Sequence, residues 1–294
     1  MQLAEAKLLE GYMNGLQRNG KSRKAPELKQ DGHDSWRIFR IMSEFVEGFE
    51  TMGNLGTAVS IFGSARTKPS DPYYKAAEET ARLLAKGDIA VITGGGPGIM
   101  EAANKGAYEA GGMSCGLNIT LPHEQEANKY QTITLDFHYF YASKVMFVKY
   151  AQAFICFPGG YGTLDEFFEV LTLIQTVKVE PFPIVLFGSS YWGGLVAWMK
   201  EQLGPQFIDG EDIEIFKVTD DVNDAVRLVK SGIKKPWWRP IDDQLKKAQK
   251  GVTIAGKTPL AGEKTADTGE GTLYGKRPKR PDKKHVKAGK KPSQ

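Results

Sequence analysis

The chain has 294 residues, 41% hydrophobic and 25% charged, with a formal net charge of +4. That is the profile of a soluble globular protein able to build one large domain with appendages. No run approaches the roughly 18 consecutive apolar residues of a membrane helix, and MQLAEAKLLEGYMNG lacks the charged start and apolar core of a secretory signal, so no membrane insertion and a cytoplasmic protein are expected. Cys115 and Cys156 sit singly in apolar segments, and the histidines at 33, 123, 138 and 285 lack metal-ligand spacing. Buried thiols, no metal and no cofactor follow.

Residues 1–33 are polar and read as a mobile leader. DSWRIFRIMSEFVEGFETM then places Ile38, Ile41, Phe45 and Phe49 at helical spacing, with Trp36, Phe39, Met42 and Val46 widening the stripe. An amphipathic helix over 34–54 is expected, packed on the core or on a partner subunit. From there short β-rich runs alternate with helical stretches. AVSIF (58–62) precedes a helix near 72–86, IAVIT (89–93) a helix near 98–110, and CGLNI (115–119) is followed by TITLDF (132–137). A helix through KVMFVKYA leads to AFICF (153–157), a helix over about 163–176, PIVLF (183–187) and a helix around 191–203. Near-continuous apolar strands alternating with helices imply a parallel sheet covered on both faces. The predicted fold is therefore α/β, a Rossmann-like doubly wound sheet over 55–235 with an N-terminal helix.

Past 236 the regularity stops, and a linker and disordered tail are expected over 236–294. Residues 271–294 hold nine Lys/Arg against Asp282 alone, a net of +8, which leaves the remaining 270 residues at −4. Such a tail is either a solvated solubility segment or a contact for acidic polymers.

In a doubly wound sheet ligands bind outside the carboxyl ends of the strands. Three of those ends are glycine-rich or polar: Gly63-Ser64-Ala65-Arg66, Gly94-Gly95-Gly96-Pro97-Gly98, and Pro158-Gly159-Gly160-Tyr161-Gly162-Thr163. Two of them run straight into a helix, so backbone N–H groups and the helix dipole make each a plausible phosphate cradle. Neither is a standard nucleotide fingerprint. Ile99 stands where a dinucleotide motif needs glycine, and no segment reads GxxxxGK[ST]. Gly112-Met113-Ser114-Cys115-Gly116 matches GxSxG, but its serine precedes a strand and reads as a turn. Glu166 is expected in the first turn of the helix opened by Gly162-Thr163, near the cradle. Asp165, Glu166 and Glu169, like Glu101 after Gly98, are equally explained as acids that favour a helix N-terminus.

TGGGPGIMEAAN followed by PGGYGTLDE resembles the paired signature loops of the LOG ("lonely guy") family, Rossmann-like phosphoribohydrolases often labelled lysine decarboxylases. The likeness spans roughly 55–225, and FGSAR, GLNITLP and KVMFVKYAQAF fit its longer bacterial branch. It implies cleavage of the N-glycosidic bond of a nucleoside 5′-monophosphate, AMP or a cytokinin precursor, to free base and ribose 5-phosphate. It places the catalytic glutamate on Glu166 and the phosphate on Gly159, Gly160, Gly162 and Thr163, with Gly94, Gly95, Gly96 and Gly98 lining the same mouth. It also implies a homo-oligomer. The family's Arg-Lys pair falls on Ser143-Lys144, so an uncharged residue stands where the family arginine contacts substrate. Lys144 and Arg66, with Lys149 as a further cation, are the basic candidates for the pocket. A nucleotide-binding protein with impaired catalysis is the alternative that Ser143 motivates. Leu121, Pro122, His123, Glu124, Met100 and the run Phe137-His138-Tyr139-Phe140-Tyr141 are the candidate base-pocket residues.

Overall fold

A computed structural model describes residues 34–120, 127–204 and 206–239. The leader, the basic tail and the base-pocket candidates 121–124 lie outside them. The chain begins with α1 (Asp34–Met52), then β1 (Ala58–Phe62), α2 (Pro72–Ala85), β2 (Ala90–Thr93), α3 (Ile99–Glu109), β3 (Ser114–Ile119) and β4 (Ile133–Phe137). It continues with α4 (Phe140–Tyr150), β5 (Phe154–Cys156), α5 (Tyr161–Gln175), β6 (Ile184–Phe187) and α6 (Ser189–Trp198). Two short turns of helix, Met199–Leu203 and Gly210–Ile215, precede β7 (Phe216–Thr219) and α7 (Val222–Lys234). The seven strands form one sheet in the order β4-β3-β2-β1-β5-β6-β7, and every pairing is parallel. The α/β doubly wound architecture expected from the sequence is present.

The strand residues alternate between two cores, as the period of two requires. Val59 and Ile61 of β1 face a layer with Leu84 of α2, Ile99 of α3 and Val229 of α7. Ala58 and Phe62 face the opposite layer, with Met146 of α4, Phe167 of α5 and Trp192 of α6. Because β1, β2, β5 and β6 are buried along their whole length, they read as unbroken apolar runs. The seventh strand and α7 escape a reading by hydrophobic runs. FKVT is only partly buried at the sheet edge, and its pairing with β6, Ile184 opposite Phe216, comes from across the chain. The body also extends past 235: Trp238 is buried, and its indole N–H donates to Glu211 O at 2.9 Å.

The sheet order puts β1 next to both β2 and β5, with the chain winding outward in opposite directions on either side. This is the topological switch point, where the loops after β1 and β5 part and leave a crevice.

Candidate active site

All three polar strand ends meet at that crevice. Ser64 N–H donates to Pro158 O at 2.9 Å, joining the loops after β1 and β5, and Ile99 N–H donates to Ser64 O at 3.0 Å, joining the loop after β2. Gly98 has φ +71°, and a Cβ there would lie 2.3 Å from Ser64 O. Only glycine permits this packing.

The loop after β2 is held from behind by a buried polar network. Asn104 Oδ1 accepts from Thr93 Oγ1 and from Asn128 Nδ2, while Asn104 Nδ2 donates to Ser114 Oγ. Asn128 Nδ2 also donates to the carbonyls of Gly95 and Gly96, at 2.9 and 3.1 Å, and Gln131 Nε2 donates to Gly95 O. Those bonds tie the carbonyl side of the loop to Asn128 and Gln131. Asn104 closes the TGGGPGIMEAAN motif but was given no role, and Asn128 and Gln131 were not singled out, since polar residues in a loop and on a helix carry no local signal of whom they meet. Ser114 opens β3 inside this network, in keeping with its reading as a turn-to-strand residue.

Across the crevice, α5 starts at Tyr161 with Gly160 as its N-cap, no capping side chain and no acid in its first turn. Its leading N–H groups therefore point out of the helix end with no side-chain acceptor, together with the positive end of the dipole. A Cβ at Gly160 or Gly162 would meet open space, whereas at Gly159 it would lie 2.0 Å from Thr163 Oγ1. Two of the loop's glycines are thus not required by the protein's own packing. Tyr191, which sequence patterns did not mark, braces the loop: its hydroxyl donates to Gly159 O at 2.6 Å.

The helix begins two residues earlier than periodicity suggests, which moves Glu166 to its second turn and corrects the first-turn placement. A macrodipole role therefore does not account for Asp165, Glu166 or Glu169. Glu101 does lie in the first turn of α3, and it accepts from the buried Tyr74 hydroxyl at 3.1 Å, a structural partnership. Glu166 is different. It is only 8% exposed, and its Oε2 is buried with no hydrogen-bond partner among the described residues. Burial pushes its carboxyl up to about 7, against the opposing pull of Lys144.

Lys144 comes from α4 and stands between three carboxylates. Its Nζ lies 2.8 Å from Asp165 Oδ2, 3.3 Å from Glu166 Oε1 and 2.7 Å from Glu169 Oε2. Burial disfavours the ammonium, but the hydrogen bonds to Asp165 and Glu169 and the charge of Glu166 outweigh it, so its pKa lies above that of an ordinary lysine. Ser143 is buried, and its hydroxyl donates to Phe140 O at 3.0 Å within its own helix. Arg66 is exposed beside the crevice, and its N–H donates to Ser64 Oγ. Lys149 does not approach the cluster, since its Nζ sits 5.3 Å above the Phe49 ring of α1. Among the base-pocket candidates, Phe137 is fully enclosed in the core, and Phe140 and Tyr141 lie on the outer surface of α4. Met100 faces the crevice loop, its Sδ 2.8 Å from where a Gly94 Cβ would lie. Among the described residues no group of acids, cysteines and histidines is arranged to hold a metal, and no helix is long and apolar enough to cross a membrane.

Known proteins resemble this chain over its central part. The family described as possible lysine decarboxylase matches residues 100–229, which hold α3 from its second residue, Lys144 and the whole loop before α5. A cytokinin riboside 5′-monophosphate phosphoribohydrolase of Arabidopsis thaliana is 24% identical over 63% of this chain and 79% of its own. One from Mycobacterium tuberculosis is 28% identical over 58% of this chain and 91% of its own. The chain is similar to the LOG family over these residues. Among solved structures, the molybdenum cofactor carrier protein of Chlamydomonas reinhardtii is 22% identical over 61% of this chain and 99% of its own, with a TM-score of 0.47.

Proposed function

We propose that this chain is a nucleoside 5′-monophosphate phosphoribohydrolase of the LOG type that releases a free base, preferentially a purine, and ribose 5-phosphate. The observation that carries the reading is the buried, unpartnered Oε2 of Glu166, one turn along α5 from two glycines that face open space. A phosphate on the N–H groups of Gly160, Gly162 and Thr163 fixes one end of the substrate. The ribose then faces the Glu166 carboxylate. As the C1′–N bond breaks, its electron pair leaves with the base, and the ionised carboxylate stabilises the oxocarbenium-like sugar. Water adds its oxygen to C1′, and its proton goes to the departing base.

Remote phosphate binding positions the scissile bond, so AMP is expected to yield adenine while adenosine reacts poorly. Measuring adenine release from both decides this, since equal turnover removes the phosphate assignment. Glu166→Gln should cost at least about a hundredfold in kcat with nucleotide binding retained.

The second reading, a nucleotide-binding protein with impaired catalysis, draws on Ser143, whose hydroxyl is already committed to Phe140 O. It predicts no base release from any purine or pyrimidine monophosphate, and a large gain in Ser143→Arg.

We also propose that the chain is a homo-oligomer. Trp36, Phe39, Met42 and Val46 of α1 are 70%, 61%, 54% and 53% exposed. Phe140, Tyr141 and Val145 extend this apolar face onto α4.

A further inference from the structure

Lys144 has the position of a substrate-binding cation, but its surroundings are those of a different device. Its side chain is only 16% exposed, and Asp165, Glu166 and Glu169 surround its ammonium within 3.3 Å. An ammonium has three protons to donate, and three carboxylates are placed to receive them. A phosphate would compete with all three for a cation that is already more than neutralised. Glu166, in turn, has one oxygen beside Lys144 and the other buried and unpartnered.

We propose that Lys144 is a positioning residue, held by Asp165 and Glu169, that fixes the Glu166 carboxylate through Oε1 and so sets how it faces the sugar. The proposal rests on the functional reading above for the identity of the sugar, but its electrostatic core concerns this chain alone. The groups that face the Glu166 carboxyl among the described residues are Lys144 on α4, Asp165 and Glu169 on α5, and the buried Cys156 thiol on β5. Lys144 favours the ionised form, while Asp165 and Glu169 oppose it. Burial is the largest effect and raises the Glu166 carboxyl, and within the cluster the members pull in opposite directions.

That opposition supplies the test. Lys144→Met should move the titration of Glu166 upward by about one pH unit or more, and Asp165→Asn and Glu169→Gln should each move it downward by a few tenths. In the full-length protein, carboxyl 13C NMR titration with Glu166→Gln as the assignment control reads this with no nucleotide present. In turnover of AMP, the acid limb of kcat should follow the same directions. Lys144→Met should lower kcat at pH 7 by roughly tenfold and change KM by less than about threefold. A tenfold rise in KM with an unmoved pH profile would show that Lys144 binds the phosphate and overturn the proposal. So would a Glu166 titration that Asp165→Asn and Glu169→Gln leave in place. Both of those carboxylates reach the surface, so their variants answer the question even if Lys144→Met does not fold. A wild-type protein that releases no base removes the functional reading, while the NMR titration still decides the role of Lys144.

Discussion

Glu166 is a residue the fold would be better without. A buried carboxylate with one oxygen unpartnered loses hydration that Lys144 only partly replaces. Its carboxyl is raised from 4.5 to about 7 in the folded chain. Between those values the folded state holds a proton that the unfolded state has released, so stability falls as pH rises through that window and is level above it. Glu166→Gln should therefore be more stable than the parent at pH 8, by about 1–3 kcal/mol, with no gain at pH 4. Urea midpoints at the two pH values check this, and an equal difference at both would mean that the charge is not the cause. A site that gives up stability for a poised acid is the expected pattern where binding or catalysis needs that group.

At the scale of the element, α5 and the loop before it contain glycines of two kinds. Gly98 in the neighbouring loop and Gly159 are demanded by packing, since a Cβ at either meets atoms at 2.3 Å or less. Gly162 is in the first turn of α5 with nothing within 4 Å of where its Cβ would lie. Alanine there adds helix propensity, about 0.5–1 kcal/mol, while placing a methyl group where a bound anion would approach the backbone. Gly162→Ala is thus expected to melt at or above the parent temperature and to raise KM for AMP about tenfold or more. Gly98→Ala, at φ +71° and against Ser64 O, should lose about 2 kcal/mol or more. Thermal melts paired with kinetics separate the two. If Gly162→Ala leaves KM unchanged, the anion does not sit on this helix end.

At the scale of the whole molecule, the proposed oligomer rests on α1. Its inner face is committed to the chain itself: Gly48 packs on Met146, and the Glu44 carboxylate accepts from the N–H groups of His138 and Tyr139 at 3.0 and 3.3 Å, serving the otherwise uncapped start of α4. Its outer face carries Phe39, Met42, Val46 and Phe49 at three- and four-residue spacing, all exposed. That stripe suits the same stripe of a second copy related by a two-fold axis. α4 bears Lys144 on its inner side and Phe140, Tyr141 and Val145 outside, so burial of this face in the proposed oligomer would also steady the helix that carries Lys144. The double variant Met42→Glu/Val46→Glu should fall to monomer mass in light scattering at micromolar concentration and retain its fold. An unchanged mass would place the interface elsewhere.

What the amino-acid sequence determined by itself follows from short-range physics. Alternating apolar strands and amphipathic helices dictate a covered parallel sheet, and strand-end glycines mark the loops that can approach an anion, because period, propensity and turn chemistry are local. The edge strand Phe216–Thr219 stayed hidden, since half-buried strands lose the apolar run that reveals central ones. Only the tertiary structure decided which side chains share a site. Lys144 and Glu166 are on different helices, and their meeting depends on β5 lying beside β1 rather than β4. The same holds for Asn128 and Gln131 against Gly95, and for Tyr191 against Gly159. Burial made the remaining distinction: Asp165, Glu166 and Glu169 are alike in sequence, and the loss of solvent around Glu166 alone turns a helix-surface acid into a group poised near neutrality.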